Sequence, residues 1–160
     1  MRKVFYSFHF DNDVMRVQLI RNIGALEQNE PVSKNRWEEV RQGGKAAIEE
    51  WIDQNMRNRS CVVVLVGAET ANRPWVRYEI KKAWNENRGL VGVHIHNVNC
   101  PRNGRCGKGQ NPFENFNVSG TPLSEIVRCY NPSASDAYNS IRENLEDWVE
   151  EAVEIRKGFG

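Results

Sequence analysis

The chain has 160 residues, a formal net charge of +1, and hydrophobic and charged fractions of 39% and 27%. These values are typical of one globular domain with a full core. The near-neutral charge argues against broad electrostatic binding to nucleic acid or to an anionic membrane. No apolar run approaches the roughly 18 residues of a membrane helix, and the first residues lack the features of a signal peptide. We therefore expect a cytoplasmic protein.

Strand and helix patterns alternate along the chain. The first strand is predicted at 3–10, where aromatic and β-branched side chains supply the apolar weight. Asp11, Asn12 and Asp13 are expected to break that strand and to cap a helix that fades near Gly24. The elements predicted next are a weak edge strand within 25–40, a helix at 45–56, a strand at 60–66, a helix at 74–87, a strand at 90–98 and a strand at 126–130.

Two further segments complete the chain. Residues 99–122 contain four Gly, three Pro and five Asn, a composition that predicts a long loop. Long loops in compact domains often serve as lids or binding segments. Apolar residues then recur at steps of three and four, which predicts an amphipathic helix at about 135–157.

The alternation predicts an α/β fold, because parallel strands joined by helical crossovers need helices on both faces of the sheet. We expect residues 1–160 to form a single flavodoxin-like, three-layer domain. Its mostly parallel sheet would have four or five strands in the order 2-1-3-4-5. In such sheets ligands bind beyond the carboxyl ends of the strands, where the strand order reverses. That position lies between segments 7–11 and 67–79.

The second of these segments contains a group of side chains that can recognise a nucleotide. Trp75, Tyr78 and Glu79 stand at positions i, i+3 and i+4 of the helix predicted there, and so share one side of it. A carboxylate beside two aromatic rings, close to the end of a central strand, indicates a nucleotide site.

Two motifs resemble a known family. Val4-Phe-Tyr-Ser-Phe8, followed by acidic residues, resembles the opening strand of TIR domains, and Trp75-Val-Arg-Tyr-Glu79-Ile80 resembles their later Trp-x-x-x-Glu-Leu/Ile motif. With the additional strings Gly-Val-His-Ile and Gly-Lys-Gly-Gln-Asn-Pro-Phe, the chain looks closest to the TIR-like proteins of the bacterial Thoeris anti-phage defence system. The resemblance covers about residues 3–116.

The resemblance implies an enzyme that cleaves NAD at the nicotinamide–ribose bond, activated only on infection. It implies a cyclic ADP-ribose-type product that activates a separate effector, with NAD as the substrate and no cofactor or metal. Glu79 matches the family's catalytic glutamate, Trp75 its aromatic partner, and Ser7, Phe8 and His9 the NAD-binding loop after the first strand. Many TIR domains have an Arg where this chain has His9. A phage-derived trigger and a homo-oligomer are further expectations.

One carboxylate is enough for this chemistry. Nicotinamide leaves a cationic ring as a neutral molecule, so no general acid is needed, and Glu79 can stabilise the oxocarbenium-like transition state. Trp75 and Phe8 are candidates to stack on the flat rings of NAD, and Tyr78 and Trp37 are added as candidate lining residues. Cyclisation needs a partly closed site, for which the 99–122 loop is the candidate lid.

Other interpretations remain open from the residues alone. Glu79 could be a solvated carboxylate paired with Lys82 at i+3. The domain could be a non-catalytic TIR-type interaction module, or a nucleoside deoxyribosyltransferase-like enzyme, which also uses a lone glutamate. A phospho-receiver of the same fold ranks last, because Gly67 and Ala68 occupy the position of its central aspartate.

Histidine and cysteine give weaker signals. His94 and His96 are two residues apart on a predicted strand and so share a face, but the sequence offers no further ligands for a metal there. The four cysteines lack the common zinc spacings, and Cys61 and Cys129 lie in strand-like runs. We expect both to be small buried hydrophobes.

Overall fold

The computed structural model describes residues 3–21, 27–28, 39–98, 107–133 and 135–159. The strands are β1 (Lys3–Ser7), β2 (Glu27–Gln28), β3 (Cys61–Val66), β4 (Gly89–His94), β5 (Asn117–Val118), β6 (Thr121–Pro122) and β7 (Arg128–Tyr130). Five of them form one sheet in the order β2-β1-β3-β4-β7, and all four pairings are parallel. The predicted order 2-1-3-4-5 is therefore confirmed. β5 and β6 form a separate antiparallel hairpin.

Four helices cover the two faces of the sheet. They are α1 (Phe10–Arg21), α2 (Gly44–Met56), α3 (Pro74–Asn85) and α4 (Ala137–Lys157), and residues 39–42 are also helical. The apolar sides of α1 and α4 pack on one face, and those of α2 and α3 pack on the other. The predicted three-layer arrangement is confirmed. None of the described helices is both long enough and apolar enough to cross a membrane.

Burial on both faces explains the composition of the central strand. All six residues of β3 are fully buried, because helices cover both of its sides. In β1 the side chains alternate: Val4 and Tyr6 belong to the core beneath α1 and α4, and Phe5 belongs to the core beneath α2 and α3. The same alternation directs Ser7 to the α3 side.

Two predicted strands are too long. β1 ends at Ser7, the last residue paired with β3, and α1 begins at Phe10. Asp11, Asn12 and Asp13 therefore lie in the first turn of α1 and do not precede it, a position where the helix dipole favours acidic residues. β4 ends at His94, and the backbone then turns, with the N–H of Val98 donating to the carbonyl of Ile95.

The described part of the predicted long loop at 99–122, residues 107–122, contains short regular elements. A 3₁₀ turn at Pro112–Asn115 and the β5–β6 hairpin lie within it. The turn forms because the Asn111 side chain accepts from the Phe113 N–H, and because the Phe113 ring is fully buried in the core beneath α2 and α3. Residues 99–106 lie outside the described ranges.

Candidate active site

The side chains of Ser7 and Glu79 meet where the strand order reverses. The Ser7 hydroxyl donates a hydrogen bond of 2.6 Å to Oε1 of Glu79, across 72 positions of sequence. Ser7 is only 1% exposed and Glu79 only 7%. A parallel sheet of this order thus brings the end of β1 and the first half of α3 together, as the sequence predicted.

The loop between β3 and α3 places this carboxylate. The Gly67 N–H donates to the Thr70 hydroxyl at 2.8 Å, and the Arg73 N–H donates to the Thr70 carbonyl at 3.2 Å. Thr70 is fully buried, so both contacts are protected from water. Pro74 then begins α3 with its backbone angle already helical. Glu79 consequently lies on the sheet-facing side of the helix.

Burial sets the electrostatics of Glu79. Loss of water raises the pKa of this carboxyl to about 8, and the hydrogen bond from Ser7 opposes that rise. The ligand-free carboxyl is therefore largely protonated at neutral pH. Lys82 does not pair with it, because the Lys82 Nζ lies 3.1 Å from Asp53 and 2.5 Å from Glu86. The alternative of a solvated Glu79–Lys82 pair is wrong.

Trp75 and Tyr78 contact each other and lead away from the carboxylate. Their rings meet edge to face with centroids 5.6 Å apart, and the Tyr78 hydroxyl donates to Oδ1 of Asp53 at 3.1 Å. Consecutive helical residues differ by about 100°, so Tyr78 faces α2 while Glu79 faces the sheet. Both aromatic residues are partly buried against the α2 and α3 core. Trp75 and Tyr78 therefore lie close together, but the hydrogen bond of the Tyr78 hydroxyl is made to Asp53 of α2.

Two further candidates lie at this edge of the sheet. Phe8 and His9 follow β1 directly and are half-buried. Phe8 packs on the core beneath α1 and α4, the opposite face of the sheet from Trp75, so the two rings do not form one stacked pair. Trp37 lies outside the described residues.

Part of the 99–122 segment, the predicted candidate lid, crosses the end of β3. We name residues 107–111 the crossing segment. A Cβ added to Gly109 would lie 2.0 Å from the carbonyl oxygen of Gly67, so only glycine permits this approach. The Asn115 amide donates to the Ala71 carbonyl at 3.2 Å and ties the following turn to the loop before α3. The Gly-Lys-Gly string was the available signal of a close backbone approach.

His94 and His96 are both buried, with ring centroids 5.8 Å apart in an edge-to-face arrangement. Within the described ranges, no group of three or more His, Cys, Asp and Glu side chains is placed to hold a metal ion. Cys61 is buried in β3 and Cys129 is half-buried in β7, both as free thiols.

Taken together, a parallel 2-1-3-4-5 sheet with a buried glutamate on the helix after its third strand defines a TIR-like α/β domain. Residues 5–100 match the family model described as "Thoeris protein ThsB, TIR-like domain". The match covers more than half of the chain and includes both Ser7 and Glu79. The chain belongs to this family.

A curated relative supports the same assignment. Over 118 residues the chain is 31% identical to a protein of Bacillus cereus (strain MSX-D12) named "Putative cyclic ADP-D-ribose synthase ThsB1". The aligned region covers 71% of this chain and 62% of the relative. The chain thus spans less than two thirds of the length of the curated relative that it matches.

Proposed function

We propose that this chain cleaves NAD at the nicotinamide–ribose bond and converts it to a cyclic ADP-ribose-type messenger, with Glu79 as the catalytic residue. The observation that carries the proposal is the buried Ser7–Glu79 pair at the point where strand order reverses. Membership of the Thoeris TIR-like family and the printed name of the Bacillus cereus relative support it.

The chemistry follows from charge. The C–N bond breaks with its electron pair going to nicotinamide, which changes from a pyridinium to a neutral molecule, and the ribose becomes oxocarbenium-like. A carboxylate fixed beside that ribose stabilises the cation as it develops. An adenine nitrogen or a ribose hydroxyl of the same molecule then forms the new bond, and a hydroxyl gives up its proton. Water in that role would give linear ADP-ribose.

The raised pKa of Glu79 suits a cationic substrate. Burial favours the neutral carboxyl when the site is empty. The positive nicotinamide ring favours the charged form, so binding of NAD lowers the pKa of Glu79 and ionises it. Ser7 keeps the carboxylate in position in both states by donating to Oε1. Ionisation of Glu79 is thus coupled to the arrival of the group that it acts on.

The proposal includes the biological context of the family. The messenger leaves the enzyme and acts on a separate effector, the reaction takes place in the cytoplasm, and a phage-derived signal releases the activity. Self-association of this chain is the simplest way for such a signal to act on the site.

The test is NAD consumption with product identification by mass spectrometry, in cells with and without phage infection. Glu79→Gln should lower the rate at least about 100-fold, the usual effect of removing one group that stabilises transition-state charge. Glu69→Gln is the matched control, because Glu69 is an exposed carboxylate on the loop leading to the same helix. Unchanged NAD in every condition, with folded protein present, would contradict the proposal and favour the non-catalytic interaction module.

A further inference from the structure

A cavity opens at the carboxyl ends of β4 and β7. It has a volume of about 500 Å³, and its lining includes His94, Lys108, Gln110 and Asn131. β3 separates it from the Ser7–Glu79 pair: Ser7 pairs with Val64, and His94 pairs with Val66. With strands about 4.8 Å apart, β1 and β4 are roughly 10 Å from each other. The crossing segment borders this cavity and is seated on the end of β3.

Two buried imidazoles beside this cavity each have one ring nitrogen without a hydrogen-bond partner among the described residues. His94, which lines the cavity, is 4% exposed, and His96 is 9% exposed. The Nδ1 atoms of both rings are buried without a partner in the part of the chain that the structure describes. Buried polar atoms of native proteins are nearly always satisfied, and each exception needs an explanation. His94 lines the cavity, so a ligand bound there would lie beside one of these incompletely bonded rings.

Lys108 and Glu114 contribute charges of opposite sign to the lining of the cavity. Burial is the largest cause that lowers the pKa of His94 and of His96, and the Lys108 charge lowers both further. The same charge opposes the rise that burial causes in the pKa of Cys129. Lys108 lines the cavity together with His94 and Cys129. None of the described carboxylates forms an ion pair with Lys108. Glu114 also lines the cavity, where its carboxylate accepts from the neutral Gln110 amide at 3.3 Å and so keeps its negative charge.

We propose that this cavity, the His94–Lys108 pocket, is a phosphate-binding site. Its lining combines the Lys108 cation, the His94 imidazole and the amides of Gln110 and Asn131 with the Glu114 carboxylate, to which Gln110 already donates. The remaining donors match the several acceptor oxygens of a phosphate. A metal is a poorer match, because no metal-binding group of three or more His, Cys, Asp and Glu side chains occurs among the described residues. The anion also favours protonation of His94, which then donates from both ring nitrogens.

The test is isothermal titration calorimetry of the full chain with inorganic pyrophosphate. Lys108→Gln should weaken binding about tenfold or more, as expected for loss of a charge-assisted hydrogen bond. Lys81→Gln is the matched control, because Lys81 is an exposed lysine of α3 that lines a different groove. The wild type should bind more tightly at pH 6 than at pH 8, and the His94 ring nitrogen signals should shift on binding.

Two results would overturn the proposal: no saturable binding by the wild type, or the same affinity in the Lys108→Gln and Lys81→Gln variants. Lys108 is exposed, so its replacement should not impair folding. His94→Gln provides a second variant, which should weaken binding and abolish the tighter binding at pH 6.

The phosphate can come from NAD itself or from a second molecule. In the first case the inference rests on the proposed function, and NAD should displace pyrophosphate from the Glu79→Gln variant competitively. In the second case NAD and pyrophosphate should bind together. The failures of the two proposals can be told apart. Lys108-dependent pyrophosphate binding without NAD cleavage would support the phosphate site and contradict the proposed enzyme. Glu79-dependent cleavage without pyrophosphate binding would leave only the enzyme.

Discussion

The Ser7–Glu79 pair and the His94–Lys108 pocket lie on the same edge of the sheet and respond to burial in opposite directions. Burial raises the pKa of Glu79 to about 8 and lowers the pKa of His94 to about 4. In both cases the neutral form is favoured, because loss of water destabilises the charged form. Glu79 and His94 are therefore both largely neutral at pH 7; a cationic ligand favours ionisation of Glu79, and an anionic ligand favours protonation of His94.

The two sites differ in how far the protein itself completes them. Glu79 has an internal partner, since Ser7 donates to it at 2.6 Å. His94 has no partner for Nδ1 in the described part of the chain. A completed site can hold a reacting group in a fixed orientation, whereas an incomplete one gains its last contacts from a ligand. This contrast favours the proposed chemistry at the first site and the proposed binding at the second.

The largest effect is expected from the pH dependence of stability at Glu79. The pKa of this carboxyl is about 8 in the folded protein and near 4.5 when unfolded. The unfolded chain therefore releases this proton first, and native stability falls as the pH rises from 4.5 to 8. The loss is at most about 5 kcal/mol. Glu79→Gln should remove it, so urea unfolding at pH 9 should show a more stable variant. Equal stability at pH 9 would mean that Glu79 is not desolvated.

Gly109→Ala tests the element that lies between the two sites. The added Cβ would meet the Gly67 backbone at 2.0 Å, where no flexible side chain can yield. We expect a loss of about 2 kcal/mol in the free energy of unfolding, the usual cost of overpacking. Gly107→Ala is the control, because a Cβ there meets nothing within 4 Å. Similar unfolding midpoints in urea for the two variants would contradict the close contact.

A smaller change of opposite sign is expected at His94. Burial lowers its pKa from 6.5 to about 4, so the unfolded chain takes up the proton first and native stability falls as the pH drops through this interval. The wild type should lose free energy of unfolding between pH 7.5 and pH 4.5, and we expect His94→Gln to recover about 1–2 kcal/mol of that loss. Chemical denaturation at the two pH values measures this difference. A wild type and variant with parallel pH dependence would show that His94 titrates normally.

The smallest effect is expected from Ser7→Ala. Ser7 lowers the pKa of Glu79, so removing its hydroxyl should raise that pKa further and leave less carboxylate at neutral pH. Loss of one hydrogen bond should lower the rate of NAD cleavage about two- to tenfold at pH 7. Part of that rate should return at higher pH, where more of the carboxyl is ionised. The pH profile of NAD cleavage measures both. Ser60→Ala, which alters a long 3.4 Å contact at the other end of the sheet, should leave the profile unchanged.

Sequence patterns predicted the layers, the strand order and the position of Ser7 and Glu79 on two sides of the point where the strand order reverses, but not the hydrogen bond between them. These features depend on short-range patterns: a continuous apolar run in β3, helical spacing in α4, and an alternation that allows few topologies. Boundaries were less predictable. β1 stops at Ser7 because its pairing with β3 stops there, although its apolar pattern continues to residue 10.

The sequence by itself determined the fold class and the identity of the buried glutamate, since periodicity and motif spacing are properties of neighbouring residues. Tertiary structure alone decided that Tyr78 bonds Asp53, that the buried Phe113 anchors the turn after the crossing segment, and that Lys108 and His94 line one cavity. These contacts join residues 14 to 25 positions apart in the chain or depend on burial from several elements. The pKa of Glu79 belongs to the second group, because desolvation exists only once the surrounding layers have packed.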